Sequence, residues 1–194
     1  MSTILILYGT TEGHTLAIAE RIAEVARERG HRVEVRNGQL VGPGFSFAGY
    51  DAAIVGASIH AGKHEGYILD LIRAHRDELA DIPTAFFSVS LAAGTPGDAE
   101  QARLYAEEFQ RATGWHPGEV RTFGGALLYT QYGWPKRMLM KLIARQKGIP
   151  TDTSRDYDFT DWDAVAHFAE EFLAHLAPPA AVLEEATTQP VTAN

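Results

Sequence analysis

The chain has 194 residues, with 17 basic and 25 acidic side chains, a formal net charge of −8 and no cysteine. The length suits one domain with a full hydrophobic core. The missing cysteine excludes disulfides, thiolate metal sites and a cysteine nucleophile, and the acidic balance argues against a nucleic-acid partner. The charge is unevenly spread: residues 134–147 hold Lys136, Arg137, Lys141, Arg145 and Lys147 and no acid. A basic patch on an otherwise acidic chain needs a reason. Met1-Ser2-Thr3-Ile4 runs into an apolar segment with no basic leader. No apolar stretch approaches the roughly 20 residues that cross a bilayer, so a cytoplasmic location is expected.

Strand-like and helix-like segments alternate along the chain. Ile4 to Tyr8 is a continuous apolar run, the pattern of a strand buried on both faces. Thr15 to Arg29 reads as a helix, with Ile18, Ile22 and Val25 on one face and Gly30 as its stop. Val33 to Arg36 is a short second strand and Asp51 to Ala57 a third. Residues 65–80 read as one helix, and Pro83 opens a fourth strand, Thr84 to Ser90. A helix over 98–113, a fifth strand from Arg121 to Ala126 and a last helix from Asp161 to Leu176 complete the series. Alternation of this kind predicts a doubly wound α/β domain with a parallel sheet. Five such strands fit the order 2-1-3-4-5, with the ligand at the carboxyl ends of the strands. Residues 126–160 exceed the usual βα connection of about 2–6 residues and form an insertion. Residues 177–194 lack periodicity and read as a flexible tail to a domain spanning 1–176.

The loop after the first strand is Tyr8-Gly9-Thr10-Thr11-Glu12-Gly13-His14-Thr15. It joins a strand to a helix and gathers three threonine hydroxyls and several backbone N–H groups, the makings of an anion site. Walker A and the dinucleotide pattern Gly-x-Gly-x-x-Gly are both absent. His60 and His64 are four apart, but no third ligand stands near them, so no metal is expected.

This loop resembles the FMN phosphate loop of the flavodoxins. The resemblance implies a flavodoxin-like fold and a non-covalent FMN whose phosphate lies on Thr10, Thr11, Glu12, Gly13, His14 and Thr15. It places Ser58, Ile59, His60, Ala61 and Gly62 in the loop that packs on the isoalloxazine, with Ser90, Leu91 and Ala92 on its other side. Further likeness lies in Gly56-Ala57-Ser58-Ile59, in Gly125-Ala126-Leu127-Leu128-Tyr129 with Tyr132-Gly133-Trp134, and in Phe159-Thr160-Asp161-Trp162. Pro83 to Leu91 and Met140-Lys141-Leu142-Ile143 add to it. Together they are similar to the quinone-dependent protoporphyrinogen oxidases of the flavodoxin superfamily. That family implies oxidation of protoporphyrinogen IX to protoporphyrin IX, with FMN passing the electrons to a membrane menaquinone in haem biosynthesis.

The insertion fits such a role. Met138, Leu139, Leu142 and Ile143 share one helical face, and Lys136, Arg137, Lys141 and Arg145 offer cations to a porphyrinogen's propionates or to an anionic membrane. The expected partners are therefore a porphyrinogen, a quinone and the inner face of the cytoplasmic membrane. The alternatives are an electron carrier of the flavodoxin type and an NAD(P)H-quinone reductase. Ala92 to Asp98 carries no basic residue, a departure from the family pattern after the fourth strand. His60, Lys63, His64, Tyr129 and Tyr132 fall in segments that can lie near the flavin, but the sequence assigns no acid or base among them; tyrosines and histidines in such loops are more often packing or hydrogen-bonding residues.

Overall fold

A computed structural model describes residues 1–176; the expected tail, 177–194, lies outside the described residues. The strands are β1 (Thr3–Gly9), β2 (Arg32–Asn37), β3 (Ala52–His60), β4 (Lys63–His64), β5 (Thr84–Ser90), β6 (Glu119–Gly124), β7 (Ala126–Leu127) and β8 (Tyr157–Asp158). The helices are α1 (His14–Glu28), α2 (Gly66–Ala74), α3 (Arg76–Ala80), α4 (Ala99–Thr113), α5 (Trp134–Lys147) and α6 (Trp162–His175). The main sheet runs β2-β1-β3-β5-β6, all parallel, with β4 hairpinned onto β3. This is the predicted flavodoxin order.

Side-chain alternation along the central strands feeds a core on each face. Every residue of β5 is buried. Phe87 packs with α1 and α6 through residues such as Ile22 and Phe168, while its neighbour Phe86 belongs to the opposite core with Ile72, Phe109 and Trp115. The Phe86 and Phe109 rings stack with centroids 4.3 Å apart. Gly56 has no room for a side chain, because a Cβ there would fall 2.0 Å from the Phe87 ring.

Three elements differ from the sequence expectation. The strand expected to end at Ala57 continues to His60 and turns back through Ala61 and Gly62, both at positive φ. The helix expected over 65–80 is two helices, broken at His75. Beyond the break, Glu78 accepts hydrogen bonds from Ser46 Oγ (2.6 Å) and the Phe47 backbone N–H (2.7 Å), and its second oxygen lies 2.7 Å from His75 Nδ1. The Ser46 hydroxyl first, and then His75, hold the Glu78 carboxyl down to about 2. The third difference lies inside the insertion, which has a small core of its own. Leu127, Tyr129, Tyr132, Ala144 and Ile149 are buried together beneath the β7–β8 ladder and α5. The returning chain crosses Gly124 so closely that a Cβ there would lie 2.1 Å from the Phe159 carbonyl oxygen.

Candidate functional site

The carboxyl ends of β1, β3 and β5 converge where the chain reverses its direction of winding, the place where doubly wound sheets bind ligands. The loop from Thr10 to Gly13 comes from β1 and leads into α1. Gly13 takes φ 88° and offers no capping side chain, so the helix begins with open donors. Within the loop, the Thr10 backbone N–H donates to Tyr67 Oη (3.0 Å) and the Gly13 N–H donates to Thr10 Oγ1 (2.9 Å). Thr11 Oγ1 donates to Glu65 Oε1 at 3.2 Å. These bonds shape the loop. Among the described residues they leave the N–H groups of Thr11, Glu12, His14 and Thr15 without a protein acceptor. Thr15 Oγ1, fully buried, also lacks a partner. A buried hydroxyl without a bond is costly. Four N–H groups and this hydroxyl fit a terminal phosphate, which has only acceptor oxygens to offer them.

The side chains of Glu12 and His14 do not face this cradle. Both reach into the insertion. Glu12 Oε1 accepts from Lys136 Nζ (2.6 Å), and Glu12 Oε2 accepts from the Tyr132 hydroxyl. His14 Nε2 lies 2.6 Å from Thr160 Oγ1 and 3.4 Å from Asp158 Oδ1. Thr160 spends its hydroxyl proton on the Gly124 carbonyl (2.8 Å), so Nε2 carries the hydrogen and His14 is the donor. Burial lowers the His14 pKa, against the pull of Asp158.

On the second strand end, Ser58, Ile59 and His60 belong to β3 rather than to a loop. Ser58 Oγ donates to Glu65 Oε1 at 2.6 Å. Glu65 was not legible as a site residue, yet its carboxylate bridges the β1 loop to the end of β3. Ala61 and Gly62, at φ 49° and 82°, form the tight turn beyond. On the third strand end, Ser90 Oγ accepts from the Ala93 N–H (3.2 Å), and Leu91 and Ala92 enter a short turn closed by Thr95 Oγ1 donating to the Leu91 carbonyl (2.8 Å).

Several expected positions are corrected. His64 pairs with Ile59 at the end of β3, but its side chain turns into the core beneath the sheet, 2.9 Å from Ser88 Oγ and edge-on to Phe109. Burial pushes its pKa down to about 4. Tyr129 is fully buried and donates to the Pro150 carbonyl (3.1 Å). Tyr132 is held protonated by burial and by its bond to Glu12. Neither tyrosine is a free proton carrier. The basic patch also contracts. Lys136 is paired with Glu12, and Arg137 Nη2 donates to the Tyr132 carbonyl at 3.0 Å. Lys147 pairs with Asp98. Lys141 and Arg145 remain on the exposed surface of α5. Beside them stand Trp134, Met138, Leu139 and Leu142, at 76%, 48%, 57% and 55% exposure. Ala144 is the one buried residue of that helix. Among the described residues, no helix is long and apolar enough to cross a membrane.

The family model of the flavodoxin domain matches residues 5–154. The chain is 35% identical over 173 residues to Protoporphyrinogen IX dehydrogenase (quinone) of Escherichia coli strain K12, a match taking in 89% of this chain and 94% of that protein. The protein of the same name from Leishmania major is 33% identical over 175 residues, covering 88% of this chain and 74% of that protein. The solved structure of oxidised flavodoxin 1 from Bacillus cereus superposes with a TM-score of 0.52 at 20% identity, over 91% of this chain and all of that one. The sheet order and these matches place the chain in the flavodoxin-domain family, together with the quinone-linked protoporphyrinogen IX dehydrogenases.

Proposed function

We propose that the chain oxidises protoporphyrinogen IX to protoporphyrin IX, with FMN as its cofactor and a membrane quinone as electron acceptor. The observation that carries this reading is the 35% identity to the Escherichia coli enzyme over 89% of the chain. A match of that extent necessarily includes the insertion. When bound, FMN supplies the redox chemistry, taking electrons from the porphyrinogen and yielding them to quinone.

The chain's own residues do the holding and orienting. The N–H groups of Thr11, Glu12, His14 and Thr15 and the Thr15 hydroxyl hold the phosphate. The Ala61–Gly62 turn brings bare backbone to one side of the ring system, and Ser90 to Ala92 border the other. Tyr132, kept protonated, serves as a hydrogen-bond donor that fixes Glu12. The exposed apolar stripe of α5, flanked by Lys141 and Arg145, suits an anionic membrane surface, where a quinone is dissolved.

The test is an anaerobic assay of the flavin-loaded full chain with protoporphyrinogen IX and menaquinone in anionic vesicles, followed by porphyrin fluorescence. Porphyrin should appear at a rate that depends on both protein and quinone. A flavin-loaded chain that forms no porphyrin with menaquinone or with a soluble quinone overturns the reading.

A further inference from the structure

The phosphate loop contains no lysine or arginine, and its one charged side chain that cannot change sign is an acid, Glu12. Although the Glu12 side chain points away from the open donors, an unpaired carboxylate on the same loop would oppose the binding of a dianion there through space. The structure resolves the conflict from 124 residues away. Lys136, in the first turn of α5, places Nζ 2.6 Å from Glu12 Oε1 and 4.5 Å above the centre of the Tyr132 ring. The Tyr132 hydroxyl takes the other Glu12 oxygen. Both oxygens of the loop's acid are therefore engaged by the insertion.

We propose that Lys136 is the cation of the flavin-phosphate site: delivered by the insertion, it neutralises Glu12 and so sets the preference for FMN over riboflavin. The assignment rests on the reading of this loop as an FMN site. The Glu12–Lys136 pair presents zero net charge to the phosphate. Removing Lys136 leaves one negative charge beside the dianion, and removing Glu12 leaves one positive charge. At a separation of several ångströms, in a partly solvated site, each change alters the affinity for a dianion about tenfold, in opposite directions. Riboflavin has the same ring and polyol but no phosphate, so neither change alters its binding. Lys136 and Glu12 are 38% and 26% exposed, so added salt weakens the effect without abolishing it.

The experiment titrates four flavin-free full chains with FMN and with riboflavin, by flavin fluorescence at low salt: wild type, Lys136→Met, Glu12→Gln and the double variant. Expected for FMN is tightest binding by Glu12→Gln and weakest by Lys136→Met, about tenfold on either side of wild type, with the double variant back near wild type. Riboflavin should bind all four alike. If Lys136→Met weakens FMN and riboflavin by the same factor, the ion pair only holds the insertion in place and the assignment is wrong. It is equally wrong if FMN affinity does not respond to either substitution. A wild-type chain that binds riboflavin and FMN equally overturns the assignment while leaving flavin binding intact, and one that binds neither overturns the flavin reading itself.

Discussion

Trp134 and Leu142 stand eight residues apart on the same exposed face of α5, with Met138 midway between them. The spacing is two helical turns, so the three side chains form a continuous apolar stripe. A helix in this position could have packed that stripe on the domain, yet α5 buries Ala144 instead. The double substitution Trp134→Ser, Leu142→Ser should leave stability within about 0.5 kcal/mol of wild type, since both side chains are in water. It should reduce binding to anionic vesicles and slow turnover with vesicle-borne menaquinone about tenfold, with the rate on a soluble quinone unchanged. Equal rates in the two quinone assays would remove the membrane from the mechanism.

Thr15→Val separates what the folded chain needs from what the ligand needs. The hydroxyl it removes is buried and unpartnered, and valine has nearly the same shape. The flavin-free protein should gain on the order of 1 kcal/mol in urea unfolding, because a desolvated polar group is gone. Binding of FMN should weaken about tenfold, and binding of riboflavin should not change. A loss of stability in the flavin-free protein would mean that the hydroxyl has a partner within the fold.

The order of the main sheet was legible because β1, β3 and β5 read as unbroken apolar runs and the helices between them keep helical spacing. The loop of open donors was legible because Thr11, Glu12, His14 and Thr15 stand close together at a strand–helix junction. What escaped depends on contacts distant in sequence. The spacing of Glu12 and Lys136 carries no periodic signal; only the fact that each is a charge lacking an opposite nearby hinted at a pairing. The extension of β3 escaped because Ala61-Gly62 is a weak hairpin signature, with glycine at the second central position alone. The break at His75 escaped because the helical pattern of residues 65–80 continues through it. Glu78 shows the reason only in three dimensions, where it is drawn to Ser46 and Phe47.

Ala61 is the single non-glycine residue at positive φ among the described residues. A side chain in the left-handed region costs roughly 1 kcal/mol, a cost glycine avoids. Ala61→Gly should therefore raise stability by up to about 1 kcal/mol, offset in part by the freer unfolded chain. Ala61→Val should lower it by more than 1 kcal/mol, since a branched side chain tolerates this region least. Thermal unfolding of the flavin-free protein reads both, and a stabilising valine would mean that the turn has another geometry.

His64 gives the fold a pH dependence whose sign follows from its burial. The ring is 8% exposed, touches Phe86 and Phe109, and has its pKa pushed down to about 4 from an ordinary 6.5. Between those values the unfolded chain binds a proton at His64 and the folded chain does not. Acid therefore favours unfolding across that window, and the stability that His64 confers in its neutral form is complete above about pH 6.5 and is lost as the pH falls toward 4. From pH 7 to pH 5 the loss attributable to this residue is about 2 kcal/mol. His64→Gln keeps a polar group opposite Ser88 Oγ but cannot titrate. The variant starts from a lower stability because the aromatic contacts are gone, but its own loss between pH 7 and pH 5 should be smaller than that of wild type by about 2 kcal/mol. Equal losses in urea unfolding at the two pH values would mean that His64 accepts a proton inside the fold, which its contacts with Phe86, Phe109 and Ser88 do not allow without local opening.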